Sequence, residues 1–303
     1  MQALVIGYGS IGARHARLLN ELGHKAAVVS SHKPDFPLVY ADLKTALTSH
    51  EPEYVVIANE TRQHRETLSN LRELGFIGVA LVEKPLFAQY ADIAPQEALT
   101  TLVAYNLRFH PVIQRLRAVL AGEKVLTVQA YAGQYLPGWR PGTDYRQSYS
   151  ASGARGGGVL RDLSHELDYL TWLLGGWQKV SALGGHLSSL EITSDDVFAL
   201  LLTTPACPVV NLQVNYLDRT GRRSIIVNTD RHTIEANMIA GTLQVDDVRE
   251  TFTIAREDTY RAMHQEILAG DRSTACTLAQ GLDTMRLIDA AEHSVRRGEW
   301  VCR

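Results

Sequence analysis

The stretch Val5-Ile6-Gly7-Tyr8-Gly9-Ser10-Ile11-Gly12 decides the fold of this chain. An apolar strand pattern runs into Gly-x-Gly-x-x-Gly, and a helical pattern follows over Ala13–Leu22. Gly7 permits a tight turn, Gly9 lets a pyrophosphate approach the backbone, and Gly12 lets the helix pack close to the strand. The free N–H groups of the helix N-terminus face the phosphates. This order predicts bound NAD or NADP, with a plain tight turn as the alternative.

Composition limits the class of protein. The chain has 303 residues, 45% hydrophobic and 21% charged, with a formal charge of −3, which is typical of a globular protein of two domains. The small net charge gives no electrostatic reason to expect nucleic acid as a partner. No apolar run is long enough to span a membrane. We also expect no signal peptide, because the chain enters a strand at once.

Cysteine usage points to a reducing compartment. Cys207, Cys276 and Cys302 are odd in number and far apart, which fits neither a disulfide framework nor a zinc site. No group of His, Asp and Glu has the spacing of metal ligands, so we expect chemistry without a metal. These features together predict a cytoplasmic protein.

Strand and helix patterns alternate through residues 1–104. Short, nearly continuous apolar strands between helices predict an α/β domain with a doubly wound parallel sheet, the Rossmann arrangement. Ligands of such sheets bind at the carboxyl ends of the strands. The residues that leave those ends are Gly7–Gly12, Ser30–Lys33, Asn59–His64, Glu83–Pro85 and Tyr105–Arg108.

A different pattern follows over residues 105–303. A long glycine-rich loop at 133–158 precedes a predicted helix over Leu160–Leu174, and strand-like runs then follow one another. This order predicts an α+β domain with a large, mainly antiparallel open sheet and helices on one face. The other face needs a cover, which predicts a homodimer or homotetramer formed through this sheet.

The end of the second strand bears on the choice of cofactor. NAD sites usually carry an acid there that accepts from the ribose 2′-OH. This chain has Ser30, Ser31 and Lys33 instead, with no acid before Asp35. Hydroxyl groups and a lysine suit a 2′-phosphate, so NADP is favoured over NAD. Arg14 is a further candidate on the adenine side.

Four motifs in chain order give the sequence a family resemblance. They are Gly7-x-Gly-x-x-Gly12 with Arg14-His15, then Glu83-Lys84-Pro85, then Tyr105-Asn106-x-Arg108-Phe109-x-Pro111, and finally Gly156-Gly157-Gly158-x-x-x-Asp162-x-x-His165-x-x-Asp168. Together they resemble the glucose–fructose oxidoreductase/inositol dehydrogenase (Gfo/Idh/MocA) family. The resemblance covers both domains and implies an NAD(P)-dependent oxidoreductase that acts on the CH–OH group of a sugar-like substrate.

The resemblance also implies roles for single residues. The resemblance implies that Lys84 is catalytic, that a cis peptide joins it to Pro85, and that Glu83 lies near the nicotinamide ribose. Hydride transfer to or from a carbinol carbon needs a partner for the hydroxyl proton, and a strand-end lysine can supply one. The full predicted set for the cofactor is Gly7, Tyr8, Gly9, Ser10, Ile11, Gly12, Ser30, Ser31, Lys33, Asn59, Glu60, Thr61, His64, Glu83, Lys84, Asn106 and Arg108.

The second catalytic position is open to more than one residue. Asp162 and His165 lie three apart in the predicted helix, so they are expected on one face, with the carboxylate orienting the imidazole. The family commonly spaces this pair by four, and one residue is missing here. Glu166 is therefore an alternative occupant, and Asp168 can orient a neighbour instead of touching substrate.

The loop over Gly133–Arg155 is predicted to shape specificity. Its aromatic side chains offer flat faces for a sugar ring, and its arginines can bind a carboxylate or phosphate, as a nucleotide sugar or sugar acid would present. The predicted substrate residues are Lys84, Tyr105, Trp139, Arg140, Tyr145, Arg146, Asp162 and His165.

Two other functions remain open on the sequence. A non-catalytic sensor can use the same dinucleotide-binding fold. An enzyme that holds its cofactor tightly and oxidises a sugar transiently, so as to cleave a glycosidic linkage, is a further alternative.

Overall fold

The computed structural model describes residues 1–32 and 34–303. These residues form two compact units, each with one β-sheet. The first unit comprises Met1–Asn106 and Glu257–Leu282, and the second comprises Leu107–Arg256 and Asp283–Arg303. The sequence predicts a single boundary between residues 104 and 105. In the structure the first unit also contains the later segment Glu257–Leu282.

The strands are short in the first unit and longer in the second. They are β1 (Gln2–Ile6), β2 (Lys25–Val29), β3 (Val39–Tyr40), β4 (Tyr54–Ile57), β5 (Gly78–Val82), β6 (Leu99–Val103), β7 (Val125–Gly133), β8 (Lys179–Gly185), β9 (Val197–Thr203), β10 (Val209–Asn215), β11 (Arg222–Thr229), β12 (Thr233–Asn237), β13 (Thr242–Val245), β14 (Val248–Thr251), β15 (Cys276–Thr277) and β16 (Val301–Cys302).

The α-helices connect or cover these strands. They are α1 (Ser10–Glu21), α2 (Leu43–His50), α3 (His64–Glu73), α4 (Pro111–Leu120), α5 (Val159–Asp162), α6 (Ser164–Leu174), α7 (Asp258–Leu268) and α8 (Leu278–Arg297). The predicted loop over 133–158 contains four 3₁₀ turns of three residues each.

The sheet of the first unit has the Rossmann order. Its strands run β15-β6-β5-β4-β1-β2-β3, parallel except for the pairing of β15 with β6. The four residues of β4 are at most 1% exposed, as expected for a strand with both faces covered. The strand order reverses between β1 and β4, so the carboxyl ends of these two strands flank the crevice where such sheets bind ligands. The predicted doubly wound domain is confirmed.

The later segment joins this unit through α7. Two ion pairs tie the segment to α1, one between Arg17 and Glu257 and one between Arg261 and Glu21. Helix α7 buries Met263 and His264 in this unit. An amphipathic helix needs an apolar partner to be stable, and α1 contributes to that partner surface.

The sheet of the second unit is mainly antiparallel, as predicted. Its order is β14-β13-β12-β11-β7-β10-β9-β8-β16, and only the pairing of β7 with β10 is parallel. Burial alternates along the strands, and Val210, Leu212 and Val214 of β10 point into the core. Alternate positions such as Leu183, Leu201 and Val209 are exposed on the other face. Assembly of copies through this face stays a prediction.

His110 couples the stability of the second unit to pH. Burial, and then the charge of Arg223, lower the pKa of His110 from 6.5 to about 4, so the folded protein keeps the ring neutral. The unfolded chain binds a proton below pH 6.5 and the folded one does not, so the free energy of unfolding falls as pH drops through this window. We expect this group to account for about 2 kcal/mol between pH 6.5 and pH 5.

Urea unfolding at several pH values tests this expectation. His110 accepts from the Val112 N–H as the N-cap of α4, and asparagine keeps such a cap. The His110→Asn variant should therefore lose the His110 part of the pH dependence while it retains the helix cap. A variant as pH-sensitive as the wild type would contradict the assignment.

Candidate active site

The turn between β1 and α1 has no room for a side chain at Gly7 or Gly12. Gly7 has φ +93°, and a Cβ there would lie 2.6 Å from Asn59 Cα. A Cβ on Gly12 would lie 2.0 Å from Gly7 O. Because Gly7 and Gly12 lack a Cβ, the fingerprint turn can lie against the end of β4 and α1 can lie against the turn, as the motif predicts.

The same turn leaves room where a ligand is expected. A Cβ on Gly9 would meet no atom within 4 Å. Gly9 is the N-cap of α1, and no side chain caps the helix there. At the end of β4, Asn59 donates to Thr67 Oγ1 at 2.8 Å, whereas its buried Oδ1 has no hydrogen-bond partner in the described part of the chain. Open space, uncapped N–H groups and a buried acceptor fit a dinucleotide at this crevice.

The adenosine side is only partly described. Ser30 accepts from the His32 N–H at 3.2 Å, and Ser31 is exposed. Lys33 lies outside the described residues. The Arg14 guanidinium lies 5.1 Å from the ring centre of Tyr260 and 3.5 Å from Glu257. The predicted role of Arg14 on the adenine side stays a prediction.

Glu83, Lys84 and Pro85 follow β5 directly. The peptide between Lys84 and Pro85 is cis, which confirms that expectation. The backbone N–H of Lys84 donates to Glu83 Oε2 at 3.2 Å, and His15 Nε2 lies 2.8 Å from Glu83 Oε1. Both oxygens of the Glu83 carboxylate are thereby held.

His64 links the two neighbouring strand ends. Its Nε2 lies 3.2 Å from Asn59 O, and its Nδ1 lies 3.2 Å from Leu86 O. Burial lowers the pKa of His64. These contacts give His64 a clear role in positioning the loops, and its predicted cofactor contact stays a prediction.

Two cofactor candidates, Glu60 and Asn106, and the substrate candidate Tyr105 complete the predicted set of the first unit. Glu60 pairs with Arg62 at 2.7 Å. The Asn106 amide donates to Thr259 Oγ1 at 2.6 Å, which ties the end of β6 to the start of α7. Tyr105 is 1% exposed.

The predicted helix over Leu160–Leu174 is broken, and the prediction of one continuous helix is wrong. Helix α5 ends at Asp162, Leu163 has φ −100° and ψ 29°, and α6 begins at Ser164. The i, i+3 argument that placed Asp162 and His165 on one helix face therefore does not hold, because a residue outside helical geometry separates them.

Asp162 has an aromatic partner, Tyr216, which follows the last residue of β10. The Tyr216 hydroxyl donates to Asp162 Oδ2 at 2.5 Å, and burial, then the Asp162 charge, raise the pKa of Tyr216 far above its ordinary value. The ring of Trp139 meets Tyr216 edge-on, with 5.2 Å between the ring centres. The structure thus joins two predicted substrate residues, Asp162 and Trp139, through a tyrosine that the sequence did not single out.

The carboxylates that follow His165 are held in ion pairs of the second unit. Glu166 is fully buried, and its Oε1 lies 2.7 Å from Arg223 Nε. Asp168 accepts from Arg108 Nε at 2.8 Å and Nη2 at 2.7 Å. These pairings favour structural roles for Glu166 and Arg108. The proton-transfer role of Glu166 and the cofactor contact of Arg108 stay predictions. His165 is 9% exposed.

The loop over 133–158 is tightly organised. Arg146 binds Asp144 at 2.9 Å and Glu191 at 3.1 Å, so carboxylates of the protein already contact its guanidinium. Trp139, Arg140 and Tyr145 line one pocket together with Leu136, Pro137, Thr143, Ser148 and Ser150. The predicted substrate contact of the first three residues stays a prediction, whereas the ion pairs of Arg146 weigh against a substrate contact of that residue.

Asp195, two residues before β9, supports the start of α5. Its Oδ2 accepts from the Leu160 N–H at 3.0 Å, and burial raises its pKa. A Cβ on Gly158 would lie 2.1 Å from Asp195 Oδ1, so the glycine is needed for this approach. Across residues 1–32 and 34–303, no three His, Cys, Asp or Glu side chains are grouped to hold a metal ion. Within those same ranges, no helix has the length and apolarity of a membrane span.

Comparison with protein families covers both units. The profile described as "Oxidoreductase family, NAD-binding Rossmann fold" matches residues 1–108, and the "GFO/IDH/MocA C-terminal domain" profile matches residues 113–235. The chain belongs to the Gfo/Idh/MocA family. Comparison with curated proteins finds no match.

Solved structures of similar fold include several described as oxidoreductases or dehydrogenases. GenD2 from gentamicin A biosynthesis, in complex with NAD, is 20% identical with TM-score 0.81, over 100% of this chain and 96% of that one. The WlbA dehydrogenase from Bordetella pertussis, with NADH and UDP-GlcNAcA, is 16% identical with TM-score 0.78, over 100% and 98%. An oxidoreductase from Agrobacterium radiobacter, with NAD⁺, L-tartaric acid and magnesium, is 19% identical with TM-score 0.79, over 100% and 98%. At these identities the likeness shows the fold alone.

Proposed function

We propose that this Gfo/Idh/MocA protein transfers a hydride between a nicotinamide cofactor and a hydroxyl or keto carbon of a sugar-like substrate. The observation that carries the proposal is the placement of Lys84 directly after β5, next to an anchored Glu83, in a sheet whose fingerprint turn fits a dinucleotide. Bound nicotinamide supplies the hydride acceptor or donor. Lys84 takes the hydroxyl proton when the substrate is oxidised and returns it when the carbonyl is reduced.

His165 and Asp162 are proposed as the substrate residues of the second unit. His165 exchanges a proton or a hydrogen bond with the substrate, and Asp162, held by Tyr216, binds a sugar hydroxyl. Trp139, Arg140 and Tyr145 border the sugar in this proposal. The ligands of the similar structures, UDP-GlcNAcA and tartaric acid, support sugar acids and nucleotide sugars as the first compounds to screen.

A screen with purified protein tests the function. NADPH oxidation is followed at 340 nm with keto-sugars and keto-forms of nucleotide sugars, and NAD(P)⁺ reduction with polyols and sugar acids. Turnover with any of these supports the proposal. Tight cofactor binding with no turnover across the panel favours the sensor, and a copurifying cofactor that is never consumed favours transient oxidation of a glycoside.

NADP is proposed as the preferred form of the cofactor. The end of β2 offers Ser30 and Ser31 and no acid, which suits a 2′-phosphate. In calorimetric titrations we expect NADPH to bind more tightly than NADH. Ser30→Asp places a carboxylate beside the ribose and should weaken NADPH binding about ten- to hundredfold while sparing NADH. Tighter NADH binding by the wild type would reverse the assignment.

Lys33→Ala is the matching test on the basic side. A lysine contact to the 2′-phosphate predicts weaker NADPH binding and unchanged NADH binding. Lys44→Ala, a substitution of the same type on helix α2, is the control and should change neither affinity.

A further inference from the structure

A chain of buried hydrogen bonds runs behind the fingerprint helix. It joins four side chains from separate elements of the first unit: Glu83 after β5, His15 on α1, His264 on α7 and Tyr54 on β4. His15 Nε2 lies 2.8 Å from Glu83 Oε1, His15 Nδ1 lies 2.8 Å from His264 Nε2, and Tyr54 Oη lies 3.0 Å from His264 Nδ1. The two histidines are 0% exposed, Tyr54 is 1% exposed and Glu83 is 7% exposed.

The chemistry of these groups sets the direction of the chain. An ionised Glu83 only accepts, so His15 Nε2 carries the proton. A neutral His15 then accepts at Nδ1, which requires a proton on His264 Nε2. His264 accepts at Nδ1 from the Tyr54 hydroxyl. With both imidazoles neutral, this arrangement of protons satisfies all three bonds.

The environment favours this neutral arrangement. Burial lowers the pKa of His264 well below 6.5, so this imidazole stays neutral. Burial, followed by the charge of Glu83, raises the pKa of Tyr54 well above 10, so its hydroxyl stays a donor. Buried polar groups are costly unless every member of the network is satisfied, and this network is complete at each histidine nitrogen.

The Glu83 end of the chain lies beside the proposed catalytic lysine. Glu83 Oε2 accepts from the backbone N–H of Lys84 at 3.2 Å, while Oε1 is held by His15. Any rotation of the carboxylate breaks one of these two bonds. The orientation of Glu83 thus depends on His15. The tautomer of His15 depends in turn on His264 of α7, which lies 249 residues further along the chain.

We propose that His15, supported by His264 and Tyr54, is a positioning residue that orients the Glu83 carboxylate and the Glu83–Lys84 peptide toward the nicotinamide riboside half of the cofactor. This inference rests on the proposed function. It makes α7 part of the nicotinamide site through hydrogen bonds alone.

Cofactor titrations of matched variants test the role. His15→Phe keeps a ring against Tyr260, whose centre lies 5.4 Å from that of His15, and removes both nitrogens. We expect His15→Phe to weaken NADH binding about tenfold and to leave ADP, which lacks the nicotinamide half, within twofold of the wild type. Glu83→Gln should show the same split, and the double variant should be no weaker than Glu83→Gln alone. Equal losses for NADH and ADP, or additive losses in the double variant, would overturn the proposal.

Two further variants separate positioning from folding. Tyr54→Phe removes one hydroxyl at the far end of the chain and should weaken NADH binding about threefold, again without an effect on ADP. His50→Phe is the control, because His50 is also buried in this unit but its hydrogen bonds go to the carbonyls of Ala3 and Lys25 and not to the Glu83 chain. It should lower thermal stability and keep the ratio of NADH to ADP affinity unchanged. A changed ratio in His50→Phe would show that the split reports general loosening.

The proton arrangement has an independent readout. In ¹⁵N-histidine NMR spectra of the wild type, His15 and His264 should both be neutral with the proton on Nε2, and Tyr54→Phe should disturb His264 first. A proton on Nδ1 of His15 contradicts the chain. Wild-type protein that binds no nicotinamide cofactor would refute the proposed function and with it the positioning role, whereas the NMR result would still report on the hydrogen bonds themselves.

Discussion

Replacing Lys84 with methionine is expected to lower kcat by about two to four orders of magnitude on any substrate that the screen identifies. Methionine keeps the length of the side chain and removes the group that moves the hydroxyl proton. Cofactor affinity should change little, because the Lys84 N–H that binds Glu83 belongs to the backbone and is retained. Stopped-flow absorbance of the reduced nicotinamide measures the chemical step directly.

The control for this variant is Lys25→Met. Lys25 opens β2 in the same unit, is exposed, and has no proposed part in the site. It should match the wild type in rate and in affinity. A Lys84→Met enzyme that keeps more than a tenth of the wild-type rate would assign the proton to another group, with His165 as the first to examine.

Arg108→Met is expected to lower the free energy of unfolding by about 3–5 kcal/mol. Arg108 is 1% exposed and binds both carboxylate oxygens of Asp168, so its removal leaves a buried charge without its partner. Chemical denaturation measures the loss. The double variant Arg108→Met/Asp168→Leu should recover much of it, since an apolar pair of similar volume often replaces a buried ion pair at little cost.

Arg117→Met provides the matched control for this prediction. Arg117 is exposed and lies over the same Trp172 ring that Arg108 contacts, at 4.3 Å and 5.0 Å respectively. Its removal should cost about 1 kcal/mol or less. If Arg108→Met were as mild as Arg117→Met, the pair with Asp168 would contribute little to stability, and the predicted cofactor role of Arg108 would regain weight.

Several features of the site could be predicted from local sequence because local rules govern them. The Gly7–Gly12 turn follows from the close approach of backbone to backbone, which only glycine permits at Gly7 and Gly12. The ends of the parallel strands follow from short apolar runs between helical patterns, and these ends position Asn59 and Glu83. The Lys84–Pro85 peptide is likewise a property of two adjacent residues together with a family resemblance.

Other features depend on partners that are distant in sequence. Asp162 and His165 looked like neighbours on one helix, but the chain leaves helical geometry at Leu163, and Asp162 instead binds Tyr216. The sequence offered Glu166 for the second catalytic position and Asp168 for orienting a neighbour, and the structure pairs them with Arg223 and Arg108. No local pattern identifies such a partner, because the pairing is a property of packing between elements.

The sequence by itself determined the fold class and the cofactor-binding turn, since both follow from short local patterns, and the family resemblance supplied Lys84 as the candidate lysine. Only the tertiary structure decided how the polar groups are shared. It assigned α7 to the first unit and placed His264 against His15, and it turned several acidic candidates into members of buried ion pairs. The physical reason is that a buried polar group must find its partner wherever the fold provides one, and the fold brings together residues that lie hundreds of positions apart.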